Sequence, residues 1–140
     1  MAHHAYTTRQ GPWFRPSGRN DVTIGVLSRL STALTKAGRA GAIRRDMPIY
    51  LTEFGVQSYP DRIAGVSQTR QAEYRSIAER IAYRNPRVRL FSQYLMRDDL
   101  PRPGSVLERY SGYESGLRTS DGKAKRAYEG FRLPLVATRG

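Results

Sequence analysis

The chain reads as an α/β fold built on a parallel sheet. Three features predict it: strand-like apolar runs near 1–7, 49–54 and 88–95, amphipathic helical patterns between them, and connections far too long for hairpin turns. Parallel neighbours need a crossover segment, and a helix is its usual form.

The opening Met1-Ala2-His3-His4-Ala5-Tyr6-Thr7 resembles the end of a strand, and the period-two alternation of strand side chains puts His4 and Tyr6 on one face. Residues 10–20 contain Gly11, Pro12, Pro16 and Gly18 and read as a loop. That loop carries the sole tryptophan, Trp13, beside Phe14. Aromatic residues in a polar loop serve either as a platform for a ligand or as a cover for the sheet end, and both readings stand at this point. Asp21 is placed to cap a helix beginning at Val22, with Leu27, Leu30, Leu34 and Ala37 at spacings of three and four and Gly38 as its stop. After Gly41 and Asp46 comes the central strand, Ile49–Phe54. A loop through Pro60 leads to Ser67, a cap for a second helix with the stripe Tyr74, Ile77, Ala78 and Ile81, ended by Asn85-Pro86. The third strand spans 88–95 and closes at Asp98-Asp99. Residues 100–120, rich in Pro, Gly, Ser and Tyr, read as a long loop. Asp121-Gly122 forms a turn, and Ala124, Ala127, Tyr128 and Phe131 form a short helix that Pro134 breaks.

Three parallel strands leave two open edges and one uncovered face. A complete eight-fold barrel takes about 250 residues. Residues 1–140 are therefore expected to form one domain that is the last part of a barrel, with Met1 already inside a strand. The exposed edge at 2–7 makes self-association an expectation.

Composition narrows the function. The apolar content of 39% argues against global disorder, and no apolar run approaches the ~20 residues that span a bilayer, so no membrane partner is expected. No leader-like segment opens the chain, and the absence of cysteine excludes disulfides while leaving the compartment undecided. The net charge of +12 invites a nucleic-acid partner. However, lysine supplies only Lys36, Lys123 and Lys125 of the 24 basic residues. The arginines are scattered from Arg9 to Arg139, and no basic run or RNA-recognition signature is present. Composition therefore argues against nucleic acid. Adjacent His3 and His4 on a strand point to opposite faces, which argues against a metal site.

The most informative stretch is Pro48-Ile49-Tyr50-Leu51-Thr52-Glu53-Phe54-Gly55. An apolar run that ends on a carboxylate either aims that group into a site at the strand end or turns it outward to an arginine, since an unpaired buried carboxylate is costly. In a barrel, His4 and Tyr6, Glu53, and Gln93 with Tyr94 would all reach one rim, where catalytic groups gather. A tyrosine hydroxyl beside a carboxylate holds its orientation and favours the ionised form that a nucleophile needs.

These residues resemble the C-terminal portion of the clan A glycoside hydrolases, closest to the cellulase-type and family 39-like retaining glycosidases on a (β/α)8 barrel. His4-Ala5-Tyr6 is similar to their sixth-strand His-x-Tyr motif, and Leu51-Thr52-Glu53-Phe54-Gly55 to the seventh strand that bears the nucleophile. Phe91-Ser92-Gln93-Tyr94-Leu95 with Asp98, then Ser115-Gly116-Leu117 and Asp121-Gly122-Lys123-Ala124-Lys125, is similar to the eighth strand and last helix. The resemblance runs over nearly the whole chain. It implies a partial TIM barrel of about the last three β/α units, strands six to eight. It further implies a carbohydrate substrate, no metal or organic cofactor, Glu53 as nucleophile and Tyr6 as its hydrogen-bonding partner. His4 and Tyr94, or Gln93, would shape the sugar site, and Trp13 of the aromatic loop is the further candidate for substrate binding.

One departure matters. Retaining hydrolysis uses two carboxyls ~5–5.5 Å apart. In this clan the acid/base glutamate follows an asparagine, and the two asparagines here precede Asp21 and Pro86. Glu108 and Glu114 lie in the long loop, and nothing in their sequence context suggests a raised pKa. The expected protein is thus a fragment or truncated relative of a retaining glycosidase, inactive by itself. The alternatives are a non-catalytic carbohydrate-binding or assembly module and, behind it, a basic nucleic-acid-associated protein.

Overall fold

The computed structural model describes residues 1–132. Strand β1 is Ala2–His4, followed by 3-10 turns at Gly11–Trp13 and Ile24–Val26, helix α1 at Ser28–Arg39, strand β2 at Ile49–Phe54, helix α2 at Gln68–Arg84 and strand β3 at Val88–Gln93. Two short helices complete the order, α3 at Val106–Arg109 and α4 at Arg126–Arg132. The chain divides into two compact units, Met1–Gly55 with Ile77–Tyr94, and Val56–Ser76 with Leu95–Gly140. Pro134, expected to end the last helix, lies outside the described residues. No helix of the described residues is long and apolar enough to cross a membrane.

The first unit holds a three-stranded parallel sheet in the order β1-β2-β3. Ile49, Leu51 and Phe54 of the central strand are fully buried. The row Ala2, Tyr50 and Leu90, in register across the three strands, is exposed. One face of the sheet is therefore covered and the other open.

The spacing of the buried residues in β2 is uneven, and this positions the site. Ile49 and Leu51 alternate as a strand should, and the same phase would bury Glu53. Instead β2 carries one extra residue. His3 pairs with Leu51 but His4 with Glu53, and Phe91 pairs with Leu51 while Gln93 pairs with Phe54. Both neighbours register the slip at the same place, as a bulge does. Phe54 takes the buried position, and Glu53 turns out with about a third of its side chain exposed.

Around the sheet the expected first helix is corrected. Asp21 caps nothing. Its carbonyl accepts from Arg29, which also donates to the carbonyls of Pro16 and Gly18 and so ties the preceding loop down. The chain instead turns through Ile24–Val26 before α1 begins at Ser28. Gly25 is needed there, because a Cβ would meet the Pro12 carbonyl oxygen at 2.5 Å and that of Phe14 at 2.8 Å. The helix runs past Gly38 to Arg39, and the left-handed turn falls at Gly41, φ +74°. Ser67 does cap α2, accepting from the Arg70 amide, and Asn85 closes it, its side chain taking the Arg87 amide. The buried positions of α2 are Gln71, Tyr74, Arg75, Ala78 and Ala82; of the expected stripe Tyr74 and Ala78 are buried, whereas Ile77 and Ile81 are only half-buried. The third strand stops at Gln93, two residues short of the expected end. In the long loop Ser105 and Glu108 form a reciprocal capping box that starts the one-turn α3, a helix the loop reading missed.

The second unit is organised around a buried cation. The Lys125 ammonium donates to Asp98 at 2.7 Å, to the Ser58 hydroxyl at 2.9 Å and to the Glu114 carbonyl at 2.9 Å. Three acceptors satisfy its three protons, which is what allows such a charge to be buried. Gln71 reaches the carbonyls of Val56 and Gly116, and the Gly116 amide donates to Asp98. Glycine is required at 116, since a Cβ would lie 2.5 Å from the Asp98 nitrogen.

Glu114 is the second titrating group of this unit. Only 3% exposed, its carboxyl is pushed up to about 7, first by burial and then by the charges of Asp61, Asp98 and Asp99, with Lys125 opposing. The expectation that neither loop glutamate has a raised pKa is thus corrected for Glu114, whose Oε2 has no hydrogen-bond partner among the described residues. Below its ordinary value of 4.5 the group is protonated folded or unfolded. Between 4.5 and about 7 the unfolded chain ionises first, so stability falls as pH rises and the full loss is reached above about 7. Urea unfolding at pH 4.5 and pH 7.5 should show a loss of up to about 3 kcal/mol across that window. Glu114→Gln should remove most of the slope, and an unchanged slope would refute the assignment.

Candidate active site

The site forms where the strands of the first unit end. β1 stops at His4, yet alternation continues beyond it: His4 is exposed, Ala5 fully buried and Tyr6 half-buried. His4 and Tyr6 therefore reach the same side of the chain and meet the bulged-out Glu53. The Tyr6 hydroxyl donates to Glu53 Oε2 at 3.0 Å, and His4 Nδ1 lies 3.5 Å from the same oxygen. His4 and Glu53 are both partly exposed, so their contact adds little stability. It matters as geometry. Both partners converge on Oε2, and Oε1 is left without a protein partner among the described residues.

Aromatic packing fixes the tyrosine. Tyr6 stacks on Phe54 with ring centroids 6.4 Å apart, and Phe54 packs on Phe91 at 5.1 Å. Tyr94 meets Tyr6 edge-on at 6.4 Å, and its amide donates to the Phe54 carbonyl at 2.8 Å. Phe54, seated in the core, thus also forms the floor under Tyr6. Neither Phe54 nor Phe91 was singled out from the sequence, although aromatic residues at two neighbouring strand ends were a visible signal.

Of the remaining candidates, Tyr94 joins this cluster through Tyr6. Gln93 ends β3 opposite Phe54 and is half-buried. Trp13 closes the first 3-10 turn with its side chain exposed, and neither it nor Gln93 bonds the Glu53 carboxylate. The two histidines have separate partners, His3 Nε2 lying 3.0 Å from the Val22 carbonyl. Among the described residues no group of three or more His, Asp or Glu could hold a metal ion.

No family model and no curated protein sequence matches the chain. Solved structures do. A β-glucuronidase from Ruminococcus gnavus in complex with D-glucuronic acid is similar with a TM-score of 0.57 and 19% identity over 94% of this chain and 22% of that one. The β-D-glucuronidase of Dictyoglomus thermophilum is similar with a TM-score of 0.58 and 18% identity, over 94% of this chain and 21% of its own. At these identities the likeness is one of fold, shared with glycoside hydrolases. The chain spans about a fifth of the length of the enzymes it matches.

The Tyr6–Glu53 contact is testable by itself. Tyr6→Phe should cost about 1 kcal/mol of unfolding free energy, the ordinary net worth of such a hydrogen bond. A double-mutant cycle with Glu53→Gln should return a coupling of about 0.5 kcal/mol or more. Strict additivity would mean that the contact is not made in solution.

Proposed function

We propose that this chain is the nucleophile-bearing, C-terminal part of a retaining glycoside hydrolase barrel. The observation that carries the reading is the division of labour on Glu53, whose Oε2 is anchored by Tyr6 while Oε1 stays open at the end of a parallel strand. The fold shared with β-glucuronidases supports it. In the proposed reaction Oε1 attacks an anomeric carbon, the bond to the leaving oxygen breaks, and a glycosyl ester forms on Glu53. Water then cleaves the ester and restores the carboxylate. Tyr6 keeps the attacking group oriented, and His4, Tyr94 and Gln93 border the sugar. The carboxyl that protonates the leaving oxygen comes from outside this chain. Glu108 is engaged in its capping box, and Glu114 is only 3% exposed.

The exposed ring of Trp13, 57% accessible, favours a second reading in which the same surface binds carbohydrate without turnover. One set of assays separates the two. The chain should hydrolyse natural oligosaccharides negligibly. Residual cleavage should appear on aryl glycosides, aryl β-glucuronides among them, whose leaving groups need little protonation, and it should vanish in Glu53→Gln. Saturable oligosaccharide binding with no cleavage of any aryl glycoside would favour the binding module. Robust turnover of a natural substrate that depends on Glu53 would show that the chain holds its own acid.

A further inference from the structure

A second candidate site lies in the first unit, where β2 and β3 begin, at the other end of β2 from Glu53. Four guanidinium groups line a recess of about 650 Å³ there, Arg44 and Arg45 from the connection before β2 and Arg87 and Arg89 from the start of β3. Only one carboxylate lines it, Asp46, and Arg44 already holds that group through Nε at 2.8 Å and Nη2 at 2.7 Å. Four positive groups against one negative leave an excess of three.

Among the described residues no acid bonds any of the other three arginines, and Asp46 reaches Arg87 only through its charge. Arg87 is locked in place by neutral acceptors, donating to the Met47 carbonyl at 3.0 Å, to the Thr35 hydroxyl at 2.9 Å and to the Arg45 carbonyl at 3.2 Å. Arg89 donates to the Pro86 carbonyl at 2.8 Å. Arg45 is exposed, and among the described residues its side chain has no partner. A solvated arginine face would spread its charges apart. Here backbone carbonyls fix one guanidinium while two others share its recess, an arrangement whose mutual repulsion an anion relieves. The walls add a flat apolar surface, the rings of Pro48 and Pro86 and the 41% exposed Tyr50. A volume of this order falls within the ~300–1,000 Å³ of small-molecule sites.

We propose that this recess binds a phosphate or sulphate group, free or carried on a small sugar whose ring lies against Tyr50. The forked donors of Arg45, Arg87 and Arg89 take the oxyanion, and the proline and tyrosine rings take the apolar face of the ring. The inference is independent of the role proposed for Glu53.

Isothermal titration of the whole chain with inorganic phosphate, inorganic sulphate and glucose 6-phosphate tests it, with a DNA oligonucleotide as the polymeric control. Arg45→Gln/Arg89→Gln is compared with Arg19→Gln/Arg70→Gln, which removes the same charge from exposed positions elsewhere. Phosphate or sulphate should bind one per chain, at least about tenfold more weakly in the recess variant, the loss expected for two charge-assisted hydrogen bonds. The control pair should stay within about twofold of the parent. Tighter binding of glucose 6-phosphate than of phosphate assigns the source to a sugar ester, and equal binding to the free anion. Should the double variant melt below the assay temperature, Arg45→Gln alone carries the comparison. The absence of saturable binding, equal weakening in both variant pairs, or binding of the oligonucleotide alone would overturn the proposal.

Discussion

With uninterrupted alternation in β2, Ile49, Leu51 and Glu53 would share one face, and the carboxylate would be buried beside two fully buried aliphatic side chains. An ion in that place has no counter-charge and would cost several kcal/mol. The extra residue between Leu51 and Phe54 removes the conflict. It places Phe54 in the core position and turns Glu53 to the half-exposed rim. It also aligns Glu53 with His4 across the β1–β2 ladder. Core packing and the placement of the carboxylate both follow from one irregularity. The residue that fills the core is the one on which Tyr6 stacks, and Tyr6 is the residue that holds the carboxylate.

The second unit meets the same difficulty of a buried charge in the opposite way. Lys125 and Asp98 stay buried and are matched to each other, with Ser58 and a backbone carbonyl taking the other two protons. Burial raises Asp98 and lowers Lys125, while the contact between them opposes both shifts. At 2.7 Å the pair is held charged. Glu114, lacking a cation of its own at the carboxyl, instead takes up its proton near pH 7. Glu53 is thus kept partly exposed at the rim, while Glu114 is buried with its carboxyl pushed up to about 7.

Much of this was legible in the sequence. The three strands, the parallel alternation, Ser67 and Asn85 at the ends of α2, and Glu53 at a strand end all follow from local pattern and cap chemistry. The bulge was not legible, because Ile49-x-Leu51-x-Glu53 is an unbroken period of two and only pairing with both neighbours reveals the slip. Asp21 was a plausible cap by residue type, but Arg29 draws the loop carbonyls together and delays the helix to Ser28. The Ser105–Glu108 box could have been found, since the spacing of serine and glutamate is its signature. The raised pKa of Glu114 could not, because the burial that chiefly produces it, and the carboxylates at positions 61, 98 and 99 that add to it, are assembled only by folding.

The central claim is that Glu53 is a nucleophile whose free oxygen can form a glycosyl ester. Incubation with 2-deoxy-2-fluoro glycosyl fluorides, a glucuronyl derivative included, tests it most directly. The leaving fluoride needs little acid help, and the fluorine at C2 slows breakdown of the ester. Peptide mass spectrometry should then find one glycosyl group on the peptide that contains Glu53, and none in Glu53→Gln. A label on another residue, a label that persists in Glu53→Gln, or no label with any sugar of the set would contradict the account.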